Sequence, residues 1–130
     1  MTSSIQPPPL PTKEQLQARI DGVKARLNPS PNVATKHDAD KPRPELLPAD
    51  VLLSVSYTFA FGAKKYSDRN WEQGFAWSRL VGALFRHVYA WMGGERLDPE
   101  SGRSHLDHAL AMLLMLRAHE IRALGEDDLK

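Results

Sequence analysis

Apolar residues recur at spacings of three and four in four stretches of the chain, which predicts four amphipathic helices. The first stripe consists of Leu16, Ile20, Val23 and Leu27. Thr12 and Gln15 precede it with the spacing of a capping box, and Asn28-Pro29 should end the helix. Because this stripe is narrow, we expect an arm that packs on the domain or on a second subunit.

Three further stripes between residues 48 and 124 predict a small helical bundle. Pro48 suits the first position of the second helix, and Ser78 should cap the third, which should end at Gly93-Gly94. The run Asp98-Pro99-Glu100-Ser101 is typical of a helix start, and the last helix should continue to about Leu124. No stretch alternates with period two for long enough to form a sheet. The sequence therefore predicts an all-α fold.

The distribution of proline suggests how the chain is organised. Residues 28–47 contain four prolines and few large apolar side chains, so we expect an extended segment there. We divide the chain into a flexible N-terminus with one helix (1–30), a single helical domain of catalytic type (31–125) and an acidic tail (126–130).

Composition excludes several classes of function. A formal net charge of +1 gives no general field for nucleic acid or for a membrane surface. The absence of cysteine excludes disulfides, thiolate metal sites and a thiol nucleophile. The N-terminus lacks the pattern of a secretory signal, and the longest apolar stretch is too short to span a bilayer. We therefore expect a cytoplasmic protein that binds neither nucleic acid nor membranes directly.

Polar groups that could hold a metal ion are concentrated between residues 86 and 108. They are Arg86, His87, Glu95, Asp98, Glu100, His105 and His108. In one interpretation the acidic residues only cap a helix, and the histidines are core residues bonded to carbonyl groups. In the other, carboxylates and imidazoles converge on a divalent ion, where oxygen ligands favour Mg²⁺ and imidazole shifts the preference toward Mn²⁺ or another transition metal.

A second group combines positive charge with aromatic rings. It comprises Lys64, Lys65, Tyr66, Arg69, Asn70 and Trp71, with Lys41 and Arg43 farther off. Lysine and arginine bind phosphates, and aromatic rings can stack on a base. The alternative is a solvated helix end followed by a loop whose aromatic side chains pack on the core. A weaker signal is His37-Asp38, the only adjacent dyad of the kind that HD-type phosphohydrolases use.

Several strings occur in an order that resembles a known family. They are Lys41-Pro42-Arg43, Phe61-Gly62-Ala63-Lys64-Lys65-Tyr66, Arg69-Asn70-Trp71, Arg86-His87, Gly94-Glu95-Arg96-Leu97-Asp98-Pro99-Glu100-Ser101-Gly102 and His105-Leu106-Asp107-His108. Over residues 36–120 the chain resembles the phage dATP/dGTP diphosphohydrolases, which are related to MazG-like all-α nucleotide pyrophosphohydrolases. Those relatives usually hold metal with ExxE and ExxD motifs. Here Glu95 to Asp98 has the second spacing, and no ExxE partner is evident.

The resemblance implies an oligomeric, all-helical enzyme that hydrolyses purine dNTPs to monophosphate and pyrophosphate with Mg²⁺ or Mn²⁺, and so shapes the dNTP pool during phage replication. On this hypothesis Glu95, Asp98 and His87 are catalytic. The metal ligands are Glu95, Asp98, Glu100, His105 and His108, and substrate binds to Lys41, Arg43, Lys64, Lys65, Tyr66, Asn70, Trp71 and Arg86. Two alternatives remain: a non-catalytic nucleotide-binding or host-interacting protein, and a structural or DNA-associated phage protein, which the low net charge disfavours.

Overall fold

Helices account for all the regular structure in the part of the chain that the computed structural model describes, residues 8–27 and 34–130. The α-helices are α1 (Lys13–Leu27), α2 (Ala49–Lys65), α3 (Trp77–Met92) and α4 (His105–Arg122). Two isolated bridges are the only β-type pairings within these ranges. The predicted all-α fold is confirmed. The chain divides into two compact units, Met1–Pro42 and Arg43–Lys130.

In the first unit, α1 begins at the predicted capping box. The Thr12 N–H donates to Gln15 Oε1 at 3.0 Å, and the Gln15 N–H donates to Thr12 Oγ1 at 3.2 Å. No residue of α1 is buried, and the apolar stripe from Leu16 to Leu27 is exposed. The predicted end at Asn28-Pro29 lies outside the described residues. The packing of this helix as an arm remains a prediction.

In the second unit, α4 is the central helix and packs against both α2 and α3. Ala109 and Ala111 are buried along it, and such small side chains allow neighbouring helices to approach closely. The same helix buries polar side chains, among them His105, Asp107 and His108. Buried polar groups are costly unless they are hydrogen-bonded. The partners of these side chains therefore show how each one is accommodated inside the fold.

Asp107 shows how such a group connects α4 to α2. The Ser54 hydroxyl donates to Asp107 Oδ2 at 2.6 Å, and Arg103 Nη2 lies 3.8 Å from the same oxygen. The Arg103 guanidinium also stacks on the Tyr57 ring, 4.7 Å from its centroid. These contacts join the start of α4 to the middle of α2.

The predicted helix starts need three corrections. Pro48 is the residue before α2 rather than its first residue. Ser78 lies inside α3, which begins at Trp77. The Ser78 N–H donates to Asp128 Oδ1 at 2.8 Å, so a residue near the end of the chain caps this helix. Residues 98–101 form a turn instead of opening α4, because Gly102 adopts a left-handed φ of +69° and ends the turn there. The cap of α4 is Ser104, whose Oγ accepts from the Leu106 N–H at 3.1 Å.

The last residues return along the start of α3. The Trp77 N–H donates to Glu126 O and its indole Nε1–H to Leu124 O, both at 2.9 Å. Gly125 allows this return, because it adopts a φ of +67° and a Cβ there would lie 2.0 Å from Phe75 O. The C-terminal residues thereby fix the N-terminal turn of α3, which borders the cavity described below.

Candidate active and metal site

A cavity of about 640 Å³ lies among α2, α3 and α4. Its wall on α3 runs from Arg79 to His87, and its wall on α4 runs from Met115 back to His108. Eight residues of helix span about 12 Å, so the cavity is long enough to have two chemically different ends. His87 and His108 lie at one end, and Arg79 and Met115 lie at the other.

Aromatic rings cluster at this end. Trp71 meets Phe59 edge to face, with centroids 6.2 Å apart, and stacks on His119 with centroids 6.1 Å apart and planes inclined by 28°. Phe75 stacks on the same imidazole at 6.2 Å. Three of the four rings, those of Phe59, Trp71 and Phe75, line the cavity. These rings pack in the core and also form an apolar wall of the cavity, so the two interpretations of Trp71 are compatible.

His119, the fourth ring, is fully buried and has both nitrogens bonded. Its Nδ1–H donates to Met115 O at 2.7 Å, and its Nε2 accepts from the Phe75 N–H at 3.0 Å. One donor and one acceptor define a neutral imidazole with the proton on Nδ1. His119 is therefore a structural residue that positions the aromatic wall.

At the other end of the cavity His87 contacts two further imidazoles, those of His108, which also lines the cavity, and of His105, which is buried. His87 stacks on His108 with centroids 4.5 Å apart and planes 10° apart. The Nδ1 atoms of His87 and His105 are 2.9 Å apart. His105 and His108 lie on one face of α4, as their spacing predicts, and His87 faces them from α3. The three histidines that were grouped in the sequence therefore lie close together in the structure.

Glu95 sets the proton positions in this group. Its Oε1 lies 2.7 Å from His105 Nε2, and an ionised carboxylate can only accept, so Nε2 carries the proton. In the neutral ring, His105 Nδ1 is then a free lone pair directed at His87. The His87 Nδ1–H donates to that lone pair, and His87 Nε2 is left as an unprotonated base.

Asp98 and His108 are joined through Ser101. Asp98 Oδ2 accepts from the Ser101 N–H and from the Ser101 hydroxyl, both at 2.9 Å. Ser101 Oγ lies 2.6 Å from His108 Nε2 and also accepts from the Arg103 N–H at 3.2 Å. Since the single hydroxyl proton is directed to Asp98, His108 Nε2–H must donate to Ser101. This chain of bonds holds one oxygen of Asp98 and fixes the ring of His108.

The surroundings favour a charged Asp98 carboxylate and neutral imidazoles at His87 and His108. Burial opposes ionisation of Asp98, but the Ser101 hydrogen bonds and the nearby imidazoles outweigh it, and its pKa is lowered. Burial lowers the pKa of His87 below the usual 6.5, and His108 and His105 lower it further. Burial also lowers the pKa of His108, against the opposing pull of Asp98. At neutral pH both rings have lone pairs available.

These lowered histidine pKa values predict an acid-sensitive fold. Above pH 6.5 the rings are neutral whether the chain is folded or not, and they contribute nothing. As pH falls below 6.5 the unfolded chain binds protons first, so the free energy of unfolding decreases. We expect the melting temperature of the metal-free protein to fall between pH 7 and pH 5.5.

Circular dichroism melts of matched variants isolate this effect. His87→Gln should flatten the dependence, whereas His37→Gln, at an exposed site, should keep the slope of the parent protein. Equal slopes in all three proteins would show that His87 does not couple folding to pH.

Donor atoms suited to a cation come together at this end. One nitrogen each from His87 and His105 and one oxygen from Asp98 lie within 4.8 Å of one another. We call these three residues the His–Asp centre. It shares Asp98 and His105 with the ligand set proposed from the sequence. The fit to a divalent ion is good, because one charged oxygen and two neutral nitrogens converge and Asp98 has a second oxygen free of described hydrogen bonds.

The other proposed ligands lie around this centre. Glu95 contacts the far side of His105, and His108 binds Ser101, although its Nε2 is also 3.6 Å from Asp98 Oδ2. Glu100 pairs with Lys65 at the rim of the cavity, and this bond raises the pKa of Lys65.

The proposed phosphate-binding cations are distributed unevenly. Lys65 and Arg86 line the cavity, whereas Lys64 lines a neighbouring groove beside Tyr57 and Arg103. Arg43 Nε pairs with Glu45 at 2.8 Å. Lys41 belongs to the other unit and is exposed there, as is the His37-Asp38 dyad.

The proposed base-contacting residues, Tyr66, Asn70 and Trp71, all line the cavity. Asn70 and Trp71 open a short 3₁₀ helix, Asn70–Gln73, that follows Arg69 in the left-handed region at φ 55°. Tyr66 is mostly exposed, with the Lys65 ammonium 5.5 Å from its ring centroid. This loop closes the side of the cavity between α2 and α3.

Sequence reasoning missed three residues of the site. Arg79 lines the cavity seven positions before Arg86, and that spacing on α3 was the available signal. Thr58 also lines it, and its buried hydroxyl has no hydrogen-bond partner among the described residues. Ser101, the link between Asp98 and His108, was visible only as part of a supposed helix start.

The fold and the site together define an all-α domain with a candidate metal centre beside a cation-lined and aromatic cavity. The chain belongs to the dATP/dGTP diphosphohydrolase family, whose N-terminal region matches residues 31–129. The family's name implies a diphosphohydrolase. No curated protein and no solved structure gives a significant match. Within residues 8–27 and 34–130, every helix is too short or too polar to cross a membrane.

Proposed function

We propose that the chain hydrolyses the purine deoxynucleoside triphosphates dATP and dGTP to the monophosphate and pyrophosphate. The observation that carries this proposal is the two-ended cavity. Phe59, Trp71 and Phe75 form an apolar, aromatic wall at one end, and the His–Asp centre lies about 12 Å away along α3. A nucleotide with its base at the first end would extend its phosphates toward the second.

The cations of the cavity suit a triphosphate. Arg79 and Arg86 lie along the α3 wall, both with exposed side chains, and Lys65 lies at the rim. Guanidinium groups bind phosphate oxygens in pairs, and an ammonium group supplies a point charge. Lys41, Arg43 and Lys64 are further candidates from the sequence that lie outside the lining of this cavity.

The base and sugar would meet Trp71, Asn70 and Tyr66. Trp71 offers a face for stacking, and Asn70 offers an amide that can pair with a purine edge. The unpartnered Thr58 hydroxyl gains a partner if a polar atom of the ligand reaches it.

Residues near the His–Asp centre would handle the proton of the attacking water. Water adds to the α-phosphorus, the bond to the bridging oxygen breaks, and pyrophosphate leaves. The lowered pKa of His87 keeps its ring neutral at neutral pH, so one ring nitrogen has a lone pair that can accept this proton or hold an ion. A bound divalent ion, Mg²⁺ or Mn²⁺, offsets phosphate charge and polarises the phosphorus. Glu95 and Ser101 orient His105 and Asp98 for that ion.

The setting of this activity belongs to the same proposal. We infer a cytoplasmic enzyme that adjusts the dNTP pool during phage replication and does not bind nucleic acid directly. We also infer a homo-oligomer, because α4 leaves Leu106, Leu113 and Ile121 exposed while few large apolar side chains of the unit are buried.

Incubation with all eight common NTPs and dNTPs and Mn²⁺, read by anion-exchange chromatography, tests the reaction. We expect dATP and dGTP to give monophosphate and pyrophosphate faster than the other six give products. Release of inorganic phosphate or of intact triphosphate would contradict the proposed cleavage position. A thermal shift with dGTP but no product from any nucleotide would favour a non-catalytic nucleotide-binding protein.

A further inference from the structure

The donor set of the His–Asp centre carries information about which ion it binds. Two of its three ligand atoms are imidazole nitrogens, from His87 and His105, and one is a carboxylate oxygen of Asp98. Mg²⁺ prefers oxygen ligands in octahedral geometry, whereas Mn²⁺, Fe²⁺, Co²⁺ and Zn²⁺ accept imidazole. A centre built for Mg²⁺ would present carboxylates where this chain presents His87 and His105.

The distance between the two nitrogens is close to that of a bound pair. With metal–nitrogen bonds of about 2.1 Å, two ligands at right angles are about 3.0 Å apart. The Nδ1 atoms of His87 and His105 are 2.9 Å apart. Binding an ion therefore requires the proton on His87 Nδ1 to move to Nε2 and both rings to turn, so that the two lone pairs meet at the ion instead of facing each other.

Two members of the donor set, His105 and Asp98, are oriented by residues that do not belong to it. The Glu95 carboxylate accepts from His105 Nε2–H at 2.7 Å, which directs the Nδ1 lone pair toward His87. Ser101 donates twice to Asp98 Oδ2 and leaves Oδ1 free of described hydrogen bonds. Carboxylate–histidine pairs of this kind accompany metal-bound imidazoles and raise their basicity.

We infer that the His–Asp centre binds one first-row transition ion per chain and prefers it to Mg²⁺. The use of that ion in hydrolysis rests on the function proposed above, whereas the binding itself does not. Glu95 and Ser101 are positioning residues for the ligands His105 and Asp98.

Metal titrations without nucleotide test this inference on the full chain, prepared without a histidine tag. Calorimetry should show one Mn²⁺ site that binds at least tenfold more tightly than Mg²⁺. Bound Co²⁺ should give visible absorption bands, and these arise without thiolate contributions because the chain has no cysteine. Excess Mg²⁺ should not displace the Co²⁺.

Matched glutamine variants locate the site. His87→Gln and His105→Gln should each weaken Mn²⁺ binding at least tenfold, and His37→Gln, at an exposed histidine of the other unit, should not change it. Because His105 is buried, Glu95→Gln gives a second reading from an exposed position, with an expected loss of about 10–100-fold. Circular dichroism confirms that each variant is folded.

The outcomes separate this inference from the proposed function. Equal binding of Mg²⁺ and Mn²⁺, or unchanged Mn²⁺ binding in the His87, His105 and Glu95 variants, would overturn the inference even if dNTPs are hydrolysed. The expected binding with no hydrolysis of any nucleotide would support the centre and overturn the enzyme.

Discussion

Replacement of Asp98 by asparagine should lower kcat for dATP or dGTP by about 1,000-fold, which corresponds to about 4 kcal/mol of lost transition-state stabilisation. The substitution is selective. An asparagine carbonyl oxygen can still accept the two bonds from Ser101, so the turn at residues 98–101 should persist. The second oxygen, which is available to a cation, becomes an amide that can only donate. The change therefore removes the anionic ligand and keeps its surroundings.

Steady-state kinetics with dGTP and Mn²⁺ measure this loss, and circular dichroism checks that the variant is folded. Asp40→Asn is the matched control, because Asp40 is exposed in the other unit, and it should keep full activity. If folded Asp98→Asn retains more than a tenth of the parent kcat, Asp98 is not a ligand of the catalytic ion.

The helices could be predicted from the sequence because each has a local signal. The capping box at Thr12 and Gln15 forms as predicted, and α3 ends before Gly93 as its sequence indicates. Helix starts that depend on distant residues could not be predicted in this way. Asp128 bonds the start of α3 from fifty positions along the chain, and no pattern near Ser78 reveals it.

The sequence could indicate which residues belong to the site, but not how they are arranged in space. Polar side chains on apolar helices identified His87, His105 and His108, since such groups must find partners when buried. Which atom faces which depends on the turn at residues 98–101. Read as a helix start, that run gives Ser101 no part beyond its backbone N–H; as a turn, it lets the Ser101 hydroxyl connect Asp98 to His108. One local misassignment thus concealed the role of Ser101.

The remaining differences between prediction and structure involve contacts between residues that are far apart along the chain. Glu95 and His105 are ten positions apart, and only the approach of the loop to α4 brings them together. Lys65 and Glu100, thirty-five positions apart, pair across the rim of the cavity. Chemical roles for both residues could be predicted from the sequence, but their pairing with each other could not.

The largest effect on stability is expected at His119. Its Nε2 accepts from the Phe75 N–H and its Nδ1–H donates to Met115 O, in a position with no exposed surface. Phenylalanine has a similar volume but can make neither bond, so a buried N–H loses its partner. Such a loss costs about 1–3 kcal/mol, and with the second bond we expect about 2–4 kcal/mol for His119→Phe. For a domain of this size the melting temperature should fall by about 10–25 °C.

Differential scanning calorimetry measures the shift, with His37→Phe, an exposed histidine, as the control that should melt like the parent protein. The Phe75 N–H bond holds one side of the aromatic wall, so below its melting point His119→Phe should bind dGTP more weakly while Mn²⁺ binding persists. A fall of less than about 3 °C would mean that the Phe75 amide finds another partner. Equal losses of dGTP and Mn²⁺ binding would mean that the two ends of the cavity are not independent.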